Sequence, residues 1–438
     1  MPRTTQIFVA STLYGVATIA AAMDSDAFAP ADRRLLLVCN NANAPETAAS
    51  LDEMPGFAPL RGRFDGVLSW NDTISPFHPS TWAPRPDDTL LFERYLRLLW
   101  DLADDQVEIV LESLQVNPAQ AIASCFFGAP VDVYADGLMS YGPSRNKIDP
   151  LIGTRVRRVL HLDLVPGQLP LLLTEFEVPA ETVPTAAFLK VLGEITDTVE
   201  ELPSLPDNSA LLLGQYLAAL DILTVEEEEQ LHVRMLRGAV ARGHTSVAFK
   251  PHPSSPAGYS KALEAEAERL GADLLVLDTP VLAEVLFATA RPALVAGCFS
   301  TALFTAREFY DIPVARVGTE LLLDRLVPFQ NSNRVPVILA DALLPDLEDK
   351  DEPVPVDDLI ETMGFVMQSQ IYPQLRSTAE RYLSTRLTPR TQRFFRRRRL
   401  TALGLPGGIP ARLAFLPRNA TARRVVRRAR ALRKSVKR

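Results

Sequence analysis

The stretch ALVAGCFSTALFTAREFYDIPVARVG, residues 293–318, decides the fold. It begins with a short apolar run (Ala293–Gly297), continues with a helical stretch (Thr301–Tyr310) and ends with a second apolar run (Val314–Val317). A strand, a helix and a strand in this order form two parallel strands with the helix packed across them. The same alternation recurs along most of the chain, so the sequence predicts parallel sheets covered by helices.

The alternation occurs in two series along the 438 residues. Single hydrophobic cores rarely grow beyond about 250–300 residues, so this length favours two domains. The segment Glu200–Ser209, with two prolines and three acidic residues, lies between the series and is typical of a linker. We therefore predict an α/β fold of two doubly wound domains facing a cleft, residues 1–202 and 203–340. An acidic, Pro-rich connection with a late helix (341–388) and a basic tail (389–438) would follow.

The predicted strands are apolar runs without clean alternation, as expected where both faces of a sheet are covered. In the first series they are Ile7–Ser11, Leu35–Asn40, Val67–Trp70, Val107–Glu112, Val131–Tyr134 and Val159–Leu164. In the second they are Leu211–Tyr216, Ser246–Pro251, Leu274–Leu277 and the two runs quoted above. Predicted helices include Leu90–Leu102, Pro118–Phe126, Glu226–Arg242, Ser260–Leu270, Val281–Thr289 and, after a surface connection over Asp341–Val356, Asp357–Leu387.

Residues 7–23 form a run of 17 residues without a charge, which raises the question of a signal peptide or membrane anchor. The run is shorter than the about 20 apolar residues of a spanning helix. We interpret it as the first strand, a turn at Tyr14-Gly15 and an alanine-rich helix, with secretion as the alternative. On this interpretation the protein is cytoplasmic.

The charge of the chain is unevenly distributed. Of the 46 Lys and Arg residues, 17 follow Pro389, where no Asp or Glu occurs, whereas all 53 acidic residues precede it. A basic end on an acidic body predicts contact with an anionic surface, either membrane headgroups or nucleic acid. Three widely spaced cysteines and five scattered histidines fit neither a disulfide framework nor a zinc motif, so we expect no metal site.

Three polar clusters follow predicted strands, where ligands bind in parallel sheets. The first is Tyr134-Ala135-Asp136-Gly137. Asp136 could act as a general base if desolvation raises its pKa, and Gly137 permits close approach of another backbone. The alternative is an ordinary Asp-Gly turn. The following residues add a candidate substrate-binding tyrosine and two candidate anion-binding cations: Tyr141, Arg145 and Lys147.

The second cluster is Lys250-Pro251-His252-Pro253, at the end of a predicted strand. The two prolines restrict the backbone on either side of His252 and so fix the direction of its imidazole. Such a histidine can donate a hydrogen bond to a phosphate oxygen or protonate a leaving group. A surface or structural histidine is the alternative.

The third cluster is Gly297-Cys298-Phe299-Ser300-Thr301, which precedes a predicted helix. Hydroxyls and free N–H groups at a helix N-terminus can hold an anion, although Ser300 or Thr301 could also be an ordinary N-cap. The sequence contains no GxxxxGK[ST] loop, and no GxGxxG follows the first strand.

These clusters, in this order on two Rossmann-like halves, resemble the bacterial sialyltransferase and polysialyltransferase family. Its acidic-Asp-Gly, His-Pro and Ser-Ser/Thr motifs are matched by residues 135–137, 252–253 and 300–301, and the resemblance spans about residues 5–330. It implies a GT-B fold and inverting transfer from CMP-sialic acid to a glycan hydroxyl, without a cofactor. Asp136 would be the base, His252 would bind or protonate the phosphate, and the two hydroxyls would hold its oxygens.

Ala135 replaces one acidic residue of the family's first motif, which weakens the assignment of donor and acceptor. The alternatives are another nucleotide-sugar transferase, or a nucleotide-sugar epimerase of the same architecture. A different class is a nucleic-acid-binding protein that acts through residues 390–438. The acidic body and the small number of aromatic residues in the tail argue against specific nucleic-acid binding. The tail would instead suit an enzyme on the inner membrane face.

Overall fold

The computed structural model describes residues 2–199, 204–252, 259–277, 279–349 and 352–409. The first half contains a seven-stranded parallel sheet with the order β3-β2-β1-β4-β5-β6-β7. Its strands are β1 (Thr4–Ala10), β2 (Arg33–Val38), β3 (Gly66–Ser69), β4 (Gln106–Glu112), β5 (Val131–Ala135), β6 (Val156–Leu162) and β7 (Ala180–Val183). Its helices are α1 (Leu13–Asp24), α2 (Ala58–Arg61), α3 (Trp70–Ile74), α4 (Thr89–Leu99), α5 (Ala119–Cys125), α6 (Pro150–Gly153) and α7 (Thr185–Thr196).

The second half contains a five-stranded parallel sheet with the order β10-β9-β8-β11-β12. Its strands are β8 (Ala210–Leu213), β9 (Ser246–Lys250), β10 (Asp273–Val276), β11 (Leu294–Gly297) and β12 (Val314–Arg316). Its helices are α8 (Val225–Ala241), α9 (Tyr259–Leu270), α10 (Ala283–Thr289), α11 (Thr301–Tyr310), α12 (Thr319–Arg325) and α13 (Arg334–Leu343). The chain continues with α14 (Leu359–Gln368), α15 (Arg376–Thr385) and α16 (Arg397–Leu403).

Both faces of the first sheet are covered, which explains the uninterrupted apolar strands. In β1, Ile7 and Val9 join one hydrophobic cluster, whereas Phe8 and Ala10 join the other. Successive side chains of a strand point to opposite faces, so a strand buried on both sides needs apolar residues throughout. All eleven predicted strands are present with shifted ends, and the predicted GT-B class, two parallel-sheet α/β domains, is confirmed.

The apolar run near the start of the sequence is part of this core. It forms most of β1 and α1, and Thr12 caps the helix by accepting a hydrogen bond from the Gly15 N–H. Ten of the twelve residues of α1 are buried. In the described ranges, no helix has the length and apolarity needed to cross a membrane.

The last helices return to the first half of the chain. The Tyr372 hydroxyl donates to Glu175 Oε2 over 2.7 Å and accepts from the Ser144 N–H over 2.9 Å. The predicted single helix over Asp357–Leu387 is wrong, because Pro373 interrupts it between α14 and α15. The break places the buried Tyr372 where it reaches these partners.

Three further sequence expectations need correction. Strand β7 was not predicted, since its sequence AETV is short and mostly polar. The segment from Asp341 to Val356 is not wholly a surface connection: Asp341 is buried in the last turn of α13, and Thr319 Oγ1 donates to its carboxylate over 2.7 Å. Its burial is compatible with its charge because Arg393 and Arg316 lie beside it.

The predicted basic tail also begins later than expected. Phe394, Phe395 and Leu400 are buried, and Arg399 Nε donates to the Val366 carbonyl over 2.8 Å. Apolar burial therefore fixes the first part of the basic segment to the body. Residues 410–438 lie outside the described residues, as does Pro253.

Candidate active site

The two sheets meet where the first and third polar clusters lie. Asp136 and Gly137 directly follow β5, and Ser300 and Thr301 lie between β11 and the first turn of α11. A Cβ built on Gly137 would lie 3.2 Å from Thr301 Oγ1. The structure thus brings the Asp-Gly turn of the first half against the Ser-Thr pair of the second half.

Ser300 is the N-cap of α11, and its Oγ accepts from the Ala302 N–H over 3.3 Å. The prediction that Ser300 or Thr301 caps the helix is therefore confirmed for Ser300. Both Ser300 and Thr301 remain partly exposed. We call the space between the Asp-Gly turn and the Ser-Thr pair the crevice. The N-terminus of α11 adds partial positive charge on its Ser-Thr side, which suits an anionic group.

Asp136 lies at the opposite wall, partly exposed at the end of β5. Burial, and next the neighbouring Glu112 carboxylate, raise the pKa of Asp136 to about 7. The first turn of α1 lies close by: a Cβ on Gly15 would lie 3.4 Å from Asp136 Oδ2 and 2.9 Å from Tyr134 Oη. A carboxyl group with this pKa can accept or release a proton at neutral pH.

Glu112 is a residue that the sequence analysis did not select. It ends β4, pairs in register with Tyr134 of β5, and accepts a hydrogen bond from Ser11 Oγ over 2.6 Å. Burial raises the pKa of Glu112 as well. Like Asp136, Glu112 lies at the end of a predicted strand, and this position could have identified it from the sequence as a candidate site residue.

Tyr14 was expected only as a turn residue, but its hydroxyl is buried and has no hydrogen-bond partner among the described residues. Burial raises its pKa, as do Glu284 of the second half and then Asp136. Glu284 is itself buried and accepts from Thr305 Oγ1 over 2.8 Å. The Tyr14 hydroxyl therefore lies in the combined field of carboxylates from both halves.

His252 follows β9 and stacks on Tyr216, with ring centroids 3.9 Å apart. Burial, and next the Lys250 ammonium, lower the pKa of His252 to about 4. At neutral pH the imidazole is thus uncharged and presents one N–H donor. Lys250 Nζ donates to the Thr279 carbonyl over 2.9 Å, which ties this cation to the second half.

The other predicted substrate-binding residues lie elsewhere. Tyr141 is fully buried, and its hydroxyl accepts from the Val165 N–H over 3.1 Å, so it is a core residue rather than a crevice residue. Arg145 and Lys147 are exposed and line a cavity of about 830 Å³ together with Arg399. The lining of that cavity includes neither Asp136 nor Thr301.

Across the described part of the chain, no three His, Cys, Asp or Glu side chains lie close enough together to hold a metal ion. The groups that follow these strand ends are a carboxyl group with a raised pKa, hydroxyls, an uncharged imidazole and a helix N-terminus. Such groups can move a proton and stabilise a developing anion.

A profile of the alpha-2,8-polysialyltransferase (POLYST) family matches residues 6–319 of the chain. No curated protein sequence matches it at a significant level.

Similar solved structures include the GT-B domain of a sialyltransferase from Photobacterium damselae, at 13% identity and a TM-score of 0.38, covering 77% of this chain and 96% of that chain. The UDP-GlcNAc 2-epimerase from Methanocaldococcus jannaschii has 11% identity and a TM-score of 0.44, covering 80% of this chain and 95% of that chain. MurG from Acinetobacter baumannii has 10% identity and a TM-score of 0.40, covering 89% and 97%. Similarities at this level concern the fold and do not distinguish a transferase from an epimerase.

Replacing Gly15 by Ala should disturb the Asp136 wall. The added methyl would approach Tyr134 Oη to 2.9 Å, and this hydroxyl is held because it donates to the Val9 carbonyl over 3.0 Å. Overpacking of this kind typically costs about 1–3 kcal/mol, which a lowered melting temperature would report. Gly193→Ala is the matched control, because a Cβ there meets no atom within 4 Å. Equal melting temperatures for the two variants would contradict the packing described here.

Proposed function

The chain belongs to the alpha-2,8-polysialyltransferase family and is a glycosyltransferase, and we propose that it is a metal-independent, inverting sialyltransferase. It would transfer sialic acid from CMP-sialic acid to a hydroxyl of a glycan acceptor in the synthesis of a cell-surface polysaccharide such as a capsule. The observation that carries the proposal is the approach of Gly137 to Thr301, which sets Asp136 opposite the α11 N-terminus.

In this proposal Asp136 is the general base. It would take the proton of the acceptor hydroxyl while that oxygen attacks the anomeric carbon of the donor. One carbon–oxygen bond forms to the acceptor, the bond to the phosphate oxygen breaks, and CMP leaves with the bonding electrons. A pKa of about 7 suits this role, since a base is most effective when its pKa lies near the working pH.

The second half would stabilise the leaving phosphate. Ser300, Thr301 and the N-terminus of α11 offer hydroxyl and N–H donors to its oxygens. His252, uncharged in the free protein, would donate a hydrogen bond. It would gain a proton only where the phosphate charge raises its pKa from about 4 to near the working pH. These groups could stabilise the leaving group without a metal ion, which is the basis for proposing metal independence.

The partners in this proposal are a nucleotide sugar, a glycan acceptor and an anionic membrane surface. Residues 410–438 contain eleven Lys and Arg and no Asp or Glu. Basic segments near anionic lipid gain about 1 kcal/mol for each cationic residue at the surface. We place the protein in the cytoplasm, peripheral to the inner membrane face, and expect no specific binding of nucleic acid.

Asp136→Asn should abolish most transfer while leaving the nucleotide side of the crevice intact. Loss of a general base typically lowers the rate by about 10²–10⁴-fold, measured as sialic acid transferred to a soluble glycan. CMP should bind the variant as it binds the parent protein. In the parent protein kcat/KM should rise with pH through about 7, because the base must be ionised to accept a proton. Asp101→Asn, on the surface, is the control. Full activity of the Asp136 variant would remove this residue as the base.

A nucleotide panel read by thermal shift tests the donor class. A ligand that binds only the folded protein raises its melting temperature, so CMP should stabilise more than UDP, GDP or CDP. EDTA should change neither this shift nor the transfer rate. Stronger stabilisation by UDP would instead favour another nucleotide-sugar transferase or an epimerase. Loss of transfer in EDTA, restored by Mg²⁺, would contradict metal independence.

Deletion of residues 410–438 tests the membrane partner. The truncated protein should no longer sediment with vesicles containing anionic lipid, because the uncompensated positive charge is removed. Transfer to a soluble acceptor should stay within about twofold, since Asp136 and α11 belong to the part of the chain that the deletion leaves whole. Vesicles of neutral lipid serve as the control. Undiminished sedimentation with anionic vesicles would exclude the tail as the membrane contact.

A further inference from the structure

We propose that Glu112 is a positioning residue for the transfer reaction: a second carboxylate, supplied by the neighbouring strand, that keeps Asp136 basic enough to take the acceptor's proton. The proposal rests on the proposed function, in which Asp136 is the base. It assigns a role to a partly buried acidic residue that the three sequence motifs do not include.

The position of the second acid follows from strand geometry. The family's first motif has two adjacent acidic residues, whereas this chain has Ala135 before Asp136. Ala135 packs with Val133 in the hydrophobic cluster on one face of the sheet. Tyr134 packs in the cluster on the other face, as does Val110, two residues before Glu112.

Because side chains alternate along a strand, Glu112 continues the Val110 face, and Asp136 comes two residues after Tyr134 on that same face. Register places Glu112 directly opposite Tyr134. Strand β4 therefore supplies a carboxylate, that of Glu112, beside Asp136. Residue 135, the other acidic position of the family's motif, is an alanine here and supplies none.

Glu112 is held in place from its other side. β1, β4 and β5 are neighbours in the sheet, and Ser11, Glu112 and Asp136 stand at or directly after their carboxyl ends. Ser11 Oγ donates to Glu112 Oε2 over 2.6 Å. Neighbouring strands lie about 4.8 Å apart, so the three side chains form a row across the sheet edge with Glu112 in the middle.

The groups that face this row are few, and most are acidic or uncharged at neutral pH. Tyr134 comes from the same strand, Tyr14 from α1, and Cys39 from the end of β2, while Glu284 faces Tyr14 from the second half. No cation is among the groups that shift the pKa of Asp136 or Glu112 in the part of the chain described. The repulsion between the two carboxylates is therefore not offset, and it favours the protonated form of Asp136.

Glu112→Gln is the decisive variant, since the side-chain amide keeps an oxygen that can accept from Ser11 but has no negative charge. Removing the charge should lower the pKa of Asp136, so the acidic limb of the kcat/KM profile should move about one unit to lower pH. At pH 8 the weaker base should lower kcat several-fold.

Glu108→Gln is the matched control, because Glu108 lies on β4 but bonds to Gln6 and Arg157 instead. The control should leave the acidic limb where it lies in the parent protein. Ser11→Ala should move the limb in the same direction as Glu112→Gln but by less. If Glu112→Gln does not fold, the shift of the acidic limb in Ser11→Ala tests the proposal instead.

A second readout separates this proposal from the proposed function. In protein labelled with ¹³C at the Asp carboxyl carbons, the Asp136 signal, assigned with Asp136→Asn, should titrate at lower pH in Glu112→Gln without any substrate present. If that shift occurs but the parent protein transfers no sialic acid, the proposed function fails, the role of Glu112 in transfer fails with it, and only its effect on the pKa of Asp136 stands. If transfer occurs but both the limb and the NMR titration stay unchanged, Glu112 is only structural and the proposal is overturned, even where stability or kcat falls.

Discussion

The approach of Gly137 to Thr301 is the contact on which the candidate active site depends. These residues follow strands of different sheets, and a Cβ on Gly137 would lie 3.2 Å from Thr301 Oγ1. A larger side chain at this position would have to displace the Thr301 hydroxyl or shift the backbone beside Asp136. The absence of a side chain at Gly137 therefore permits the close approach of the two halves where the proposed reaction would occur.

The electrostatic asymmetry of the crevice follows from this contact. The first half contributes Asp136 and Glu112. Burial raises the pKa of Asp136, and repulsion by the Glu112 carboxylate raises it further. The second half contributes hydroxyls, the N-terminus of α11 and a His252 imidazole that burial keeps uncharged. The carboxyl groups on one side and the hydrogen-bond donors on the other suit a reaction that removes a proton on one side and releases an anion on the other.

The segment after the second sheet, residues 359–403, contacts both halves of the chain. Tyr372 reaches Glu175 and Ser144 of the first half, while Arg393 contacts the buried Asp341 of the second half. Both anchors are polar groups buried with their partners, so breaking one would leave an unpaired group in the interior. The relative position of the sheets thus depends on residues that follow both domains in the sequence.

The sequence by itself determined the alternation of strands and helices, because strands buried on both faces must be apolar throughout, as in β1 and β11. It also determined that Asp136, His252 and Ser300 follow strand ends, since each lies just after an apolar run. Local pattern did not reveal the polar edge strand β7, the break at Pro373 within a helical pattern, or the burial of Asp341. The edge strand and the burial of Asp341 depend on distant partners rather than on neighbours in sequence, whereas Pro373 was a local signal for the break. Only the tertiary structure decided that Glu112 stands beside Asp136, that Tyr141 belongs to the core, and that Arg145 joins Arg399 in a separate cavity. The physical reason is that strand order and side-chain burial are set by packing across the whole sheet, which no short stretch of sequence encodes.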